Sequence, residues 1–380
     1  MNKSQANKNF PLHKRAALNY FVRAQAKSNV DVPQDAYHYL SETERKKIRN
    51  IKKLSTVYSA LTGAVIVMVY YLPMYVFPDF FSSFENKINF LGTKVRFNYL
   101  TASISLFWIV VEIVLLSFIN IQSVTKTAIA CGFPDKRDPH HDLHLEQLIN
   151  LGMDAKNKET LKFGIDPFSG LPKIYIFFFT VWNLLKATLT NFAIKLVFIK
   201  IFARLSIRAY ADLVGVPVFA IWNAIAARRV IENTKVYIMA PGTIDALLLE
   251  IKCLGEDQGF KQNIYDAMQY VAKMKRNFHH NHYVLTLKLI EAFDLHDFKD
   301  VQQNETAFLD NIKVSPDAVK KAYTKLVFIG MIIDGEVSRK EKKILNHLYQ
   351  NGIININPGE INKWCTDFKN GVGLEELIKL

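Results

Sequence analysis

From Leu54 to Phe77 the chain reads LSTVYSALTGAVIVMVYYLPMYVF, 24 residues without a charge. A helix of that length, at about 1.5 Å per residue, spans the ~30 Å hydrocarbon core of a bilayer. Tyr70, Tyr71 and Tyr75 near its end suit the interfacial aromatic belt. A second run, Tyr99 to Ile121, reads YLTASISLFWIVVEIVLLSFINI and carries one charge, Glu112. Length with so little charge predicts two membrane spans, 54–77 and 99–121, joined by the loop Pro78–Asn98. Buried core helices are the alternative. A mid-span carboxylate is costly, so Glu112 is expected either to function or to be paired. The plain form is a protonated Glu112 bonded to Tyr58, Ser59 or Thr62 of the first span.

Between Ile174 and Arg208 the pattern changes. Lysines interrupt every long apolar run of IYIFFFTVWNLLKATLTNFAIKLVFIKIFARLSIR. On a helix Lys186, Lys200, Arg204 and Arg208 fall within about 80° of one another, which predicts a basic amphipathic helix lying in the interface. LVGVPVFAIWNAIAARRV, Leu213 to Val230, is too short to span comfortably. It fits a buried or re-entrant helix starting near Pro217, with Arg228 and Arg229 placed to meet phosphates or helix carbonyls.

After Pro241-Gly242 the pattern turns soluble. Helical periodicity runs through 244–254, 264–274, 283–293, 316–333 and 338–349, with turn residues between, so an all-helical domain is expected over 241–380. Within it, KLVFIGMIIDGEVSRKEKKIL (Lys325–Leu345) poses a choice between a metal loop and a helix join. Ser338 followed by Glu341 has capping-box spacing, and Gly335 fits a helix stop. A calcium loop counted from Asp334 would put Gly at position 2 and Leu345 at position 12, where a bidentate acid belongs.

Charge sharpens the membrane reading. Of a net +13, residues 1–53 carry +8 (12 basic, 4 acidic) and residues 186–235 carry +6 (8 basic, 2 acidic). Residues 241–380 carry −1 (18 basic, 19 acidic). Basic charge beside apolar segments points to anionic headgroups; no aromatic-interleaved basic patch suggests nucleic acid. KKIRNIKK (Lys46–Lys53) before the first span predicts cytoplasmic N- and C-termini by the positive-inside rule. Cys131, Cys253 and Cys365 are scattered, as expected of reduced thiols. The start, MNKSQANKNFPLHKRAALNYF, has neither a signal-peptide core nor a myristoylation glycine.

Two resemblances enter here. GIDPFSGLPK (Gly164–Lys173), the basic stretch, GVPVFAIWNA and RRV resemble the EcsC-like bacterial family over about 145–240. That resemblance implies a bacterial inner-membrane protein near envelope or transport functions, with no active site to carry over. Asp334, Gly335, Ser338, Glu341 and Leu345, followed by NGIININPGEINKW, resemble the TerB-like family, most clearly over 316–365 and more loosely over 244–380. It implies an all-helical domain on a membrane-tethered assembly, with Asp334 and Glu341 as candidate divalent-metal ligands.

Other polar clusters stay open. RDPHHDLHLE (Arg137–Glu146) places His140 and His144 at i and i+4, a spacing that lets two imidazoles share a metal; solvated helix-start residues are the alternative. His282 with His296-Asp297 invites an HD-type metal phosphohydrolase. G-x-S-x-G, P-loop, H-E-x-x-H and G-x-G-x-x-G motifs are missing. The expectation is therefore an all-α chain in four parts: a basic segment 1–53, a transmembrane hairpin 54–121, a membrane-associated core 122–240 and a TerB-like domain 241–380. It would act as a non-catalytic membrane adaptor that docks a protein partner through 241–380, with homo-oligomers allowed. The tethered phosphohydrolase is the alternative.

Overall fold

The computed structural model describes residues 11–27, 39–90, 93–153, 155, 157–178, 181, 215–255, 257–277, 279–300 and 305–380. Those residues are helical apart from short turns and one antiparallel hairpin, Glu85–Phe90 (β1) with Thr93–Asn98 (β2), in which Glu85 faces Asn98. The hairpin falls in the loop Pro78–Asn98 that the sequence places between the spans. The helices are α1 (Leu12–Ala26), α2 (Glu42–Val76), α3 (Pro78–Ser82), α4 (Tyr99–Ala130), α5 (His141–Gly152), α6 (Gly215–Lys252), α7 (Gln258–Lys275), α8 (His280–Phe293), α9 (Glu305–Val314), α10 (Asp317–Ile332), α11 (Arg339–Gln350), α12 (Ile361–Asn370) and α13 (Glu375–Lys379).

Two compact units divide the chain, along boundaries other than those of the four parts expected from the sequence. The first unit takes residues 1–49, 124–171 and 230–380; the second takes 50–123 and 172–229. The segment 241–380 is thus not separate, because it shares a core with pieces on either side of the spans. The expected core 122–240 is split between the units.

In the first unit α10 crosses α7 closely. Gly330 makes the crossing possible, since a Cβ there would lie 2.8 Å from Val271 Cγ1. Tyr237, Tyr265, Tyr323, Phe308, Phe328 and Phe368 are fully buried in the same unit. The N-terminal segment is stitched on by backbone and side chain: Leu40 N–H donates to Gly371 O at 3.0 Å, and Tyr39 Oη to Glu375 Oε2 at 2.8 Å. Gly371 has φ +87°, and a Cβ would meet Leu40 at 2.8 Å, so only glycine fits.

Helix α6 runs unbroken through Pro241, where the sequence suggests a domain boundary. Residues 236–240 before the proline and Ile244, Leu247 and Ile251 after it are buried. Their packing outweighs the one hydrogen bond that proline removes. The basic run before the first span is also helical: α2 starts at Glu42 behind a Ser41–Glu44 capping box, with Ser41 N donating to Glu44 Oε2 at 2.7 Å and Glu44 N to Ser41 Oγ at 3.3 Å.

Among the described residues, α2 and α4 contain two helical stretches long and apolar enough to cross a membrane. Their most apolar 18-residue windows have mean hydropathy 1.6 and 2.4 and are 22% and 0% buried inside the protein. The stretch 174–208 falls largely outside the described residues, and Lys186, Lys200, Arg204 and Arg208 with it.

Candidate functional site

The helix join that the sequence leaves open is a join. Helix α10 ends at Ile332, Gly335 turns at φ +76°, and α11 begins behind Ser338. The capping box is complete: Glu341 N donates to Ser338 Oγ at 3.2 Å, and Ser338 N donates to Glu341 Oε2 at 3.0 Å. Ser338→Ala should cost about 1 kcal/mol, read as a small fall in the denaturant midpoint of the full chain. A neutral result would mean that tertiary contacts alone hold the start of α11.

The metal candidates Asp334 and Glu341 do come together, but around a lysine. Lys275, the last residue of α7, donates from Nζ to Glu336 O at 2.7 Å, Met331 O at 2.8 Å and Asp334 Oδ2 at 2.8 Å. Glu341 Oε2 lies 3.3 Å from the same nitrogen. The side chains of Lys275 and Asp334 are each 3% exposed. An ammonium has three protons for three short contacts, with a carboxylate completing the charge balance. The cation between these acids in the structure is supplied by the chain itself, as the Lys275 ammonium. Burial pushes the Asp334 carboxyl up, but Lys275 outweighs it and holds the group below the usual carboxylate range.

His140 is the residue before α5 and its Nε2 lies 3.0 Å from Glu291 Oε2. His144 points inward, with Nδ1 2.8 Å from Tyr237 Oη and Nε2 3.4 Å from Asp138 Oδ2. Both imidazoles sit beside Asp138, His140 Nδ1 at 3.8 Å from Oδ1 and His144 Nε2 at 3.4 Å from Oδ2, while their other ring nitrogens meet Glu291 and Tyr237. The bond to His144 holds the Asp138 carboxyl down at about 2, while burial lowers His144 itself.

The histidines after Phe278 form the buried polar heart of the first unit. His280 sets Nδ1 2.7 Å from Gln147 Oε1 and Nε2 3.0 Å from Ala155 O. His282 Nε2 donates to Gly330 O at 2.8 Å, beside the α7–α10 crossing. Asn281 donates to Val236 O at 3.3 Å and Ile333 O at 2.5 Å, tying α6 to the end of α10. Burial lowers all three histidines, His279 to about 3 and His280 to about 4. His279 and His282 also line a cavity of about 20 Å³ with Thr160, Ile165, Met268 and Leu285, room for about one water. His296 and Asp297 sit on an exposed 3₁₀ turn, whereas His282 is buried, so the HD-type set is not assembled. Among the described residues no group of three or more His, Cys, Asp or Glu is placed to hold a metal.

Cys131 is buried and its thiol is pushed up to about 12, first by burial and then by Glu44; Cys253 is exposed. A maleimide at pH 7.5 should therefore label Cys253 at least tenfold faster than Cys131 in the folded protein. Equal rates, read by peptide mass spectrometry, would contradict the placement of Cys131.

In the second unit Glu112 is paired, but with a residue the sequence did not single out. Asn223 of α6 donates from Nδ2 to Glu112 Oε1 at 2.7 Å, in place of the expected Tyr58, Ser59 or Thr62. Arg228 and Arg229 are exposed. Lys275, Gln147, Tyr237 and Asn223 were all missed by sequence reasoning. Only Asn223, an amide inside an apolar run, carried a local signal. No protein-family model, curated protein or solved structure matches the chain.

Proposed function

We propose that the chain is a two-span anchor of a bacterial inner membrane whose first unit faces the cytoplasm and docks a protein partner. The observation that carries the anchor is the bareness of α4. A core helix of a soluble protein would be covered by its neighbours, yet the most apolar window of α4 is 0% buried, and Leu106, Phe107, Val110, Ile113, Val114 and Phe118 lie open. An apolar surface of that extent needs lipid or another chain over it. The basic residues Lys46–Lys53, Arg228 and Arg229 would lie toward the headgroups, with Lys186, Lys200, Arg204 and Arg208 expected to join them. This keeps both termini cytoplasmic.

The docking role rests on how the first unit spends its polar groups. Lys275 is held by Asp334 and Glu341, His280 by Gln147 and Ala155 O, and His282 by Gly330 O, and this favours a rigid scaffold over an open catalytic centre. The EcsC-like and TerB-like resemblances fit the same proposal: a membrane core carrying a helical docking domain that needs no divalent metal between Asp334 and Glu341.

Tagged protein extracted from native membranes in mild detergent tests this. The expected result is membrane retention after carbonate washing and one stoichiometric co-purifying protein. That partner should be lost when exposed charges of α11, such as Arg339, Lys340 and Lys343, are reversed. A solitary protein would sink the adaptor reading, and release by carbonate would sink the anchor.

A further inference from the structure

The second unit holds more polar side chains than its apolar sequence suggests, and they fall into a line. Gly63 of α2 lies directly against α6: a Cβ there would be 2.6 Å from Asn223 Nδ2 and 2.9 Å from Phe219 O. Asn223 in turn holds Glu112 of α4. Three helices thus meet at one level through a glycine, an amide and a carboxyl. From Gly63 toward the basic flank, Ser59 and Ser55 follow at steps of four residues on the same face, about 6 and 12 Å away by helical rise. Ser59 is 0% exposed and Ser55 3% exposed, and neither hydroxyl has a hydrogen-bond partner among the described residues. On α4, Asn120 lies just over two turns beyond Glu112, about 80° further round the helix, and its buried Oδ1 is also unpartnered among the described residues. In a membrane hairpin the second span runs back toward the basic flank, so Asn120 lies about 12 Å from Glu112 in the direction that Ser59 and Ser55 mark.

Small residues alone would mean only close packing. Buried oxygens without partners mean something further. In hydrocarbon each such group costs several kcal/mol unless a donor or acceptor reaches it. A serine hydroxyl and an amide oxygen aligned toward a carboxyl suit water, which both donates and accepts. We propose that Ser55, Ser59 and Asn120 line a hydrated seam inside the membrane unit that leads from the basic flank to Glu112. Water arriving there gives the Glu112 carboxyl a route for exchanging protons with the cytoplasmic side. The remaining faces of α2 and α4 carry the exposed leucines, valines and phenylalanines and stay dry. The seam rests on the membrane reading above.

Cysteine scanning of the full chain in permeabilised native membranes tests it, with Cys131, Cys253 and Cys365 replaced by serine. The probe is a small, membrane-impermeant, positively charged methanethiosulfonate. It reacts with thiolate, which forms only where water reaches the sulfur. Ser55→Cys, Ser59→Cys and Asn120→Cys probe the seam. Val114→Cys and Leu115→Cys probe the open apolar face, and Arg49→Cys is the water-exposed control. Seam positions should react at least tenfold faster than Val114→Cys and Leu115→Cys, though more slowly than Arg49→Cys. Unreactive seam and apolar-face positions beside a reactive control would show a dry clamp and overturn the seam while leaving the anchor intact. Rapid reaction at Val114→Cys and Leu115→Cys would overturn the membrane reading itself. Ser→Cys is nearly isosteric, and membrane retention of each variant separates misfolding from a true negative.

Discussion

Replacing Lys275 by methionine should destabilise the first unit by roughly 3–5 kcal/mol, the range for a buried ion pair that loses one partner. The stem volume is retained, so the loss isolates the ammonium. Asp334 and Glu341 would be left facing each other at 5% and 6% exposure with no cation between them. Met331 O and Glu336 O would lose a donor as well. Asp334, no longer held down by Lys275, would then take up its proton at a higher pH than in the wild type. The readout is the denaturant midpoint of the full chain in detergent, followed by circular dichroism. A second variant separates charge from packing: adding Asp334→Asn and Glu341→Gln to Lys275→Met should recover part of the loss, a coupling that a double-mutant cycle measures. A change below about 1 kcal/mol in the single variant would show that the cage is not a structural centre.

Acid is expected to loosen the same unit through its buried histidines. In the unfolded chain a histidine takes up its proton near 6.5. In the folded protein burial delays this to about 3 for His279 and about 4 for His280, and lowers His282 in the same direction. Below pH 6.5 the unfolded state therefore binds more protons than the folded one. The stability contributed by these rings is complete above about 6.5 and is lost as pH falls toward 4. Each histidine removes about 1.4 kcal/mol per pH unit within that window. Two or three such rings would consume much of an ordinary stability of about 5–15 kcal/mol before pH 4. Asp138 and Asp334, both held below the usual range, add their losses only at lower pH. Unfolding midpoints between pH 7.5 and 4.5 check the slope. His280→Gln should flatten it by one histidine's share, since a glutamine cannot charge. A midpoint constant over that range would contradict the burial of these rings.

Both predictions concern groups whose importance the chain hides. Lys275 sits in KMKRN among ordinary basic residues at a helix end, and nothing local marks it as the one turned inward. Asp334 and Glu341 are conspicuous by their D-G-x-x-S-x-x-E spacing, but spacing cannot say whether their cation is a metal or an ammonium arriving from 59 and 66 residues away along the chain. His140 and His144 are spaced i and i+4 and share Asp138, yet their other ring nitrogens find Glu291 and Tyr237. Those partners lie on helices far along the chain.

The sequence by itself determined whatever depends on near neighbours. The two apolar stretches follow from runs of about 20 residues with almost no charge. The Gly335 stop and the Ser338–Glu341 cap follow from φ preference and a three-residue spacing. Most helices of the C-terminal third follow from a 3.6-residue period. What only the tertiary structure decided depends on residues distant in the chain. Residues 39–49 and 124–171 complete the core of a unit that looked self-contained. Buried neighbours carry α6 through Pro241. Asn223 finds Glu112, and Lys275 fills the place between two acids. Helical propensity and hydrophobic period are local and therefore legible. The partner of a buried charge is set by which helices cross, and that is resolved only when the whole core packs.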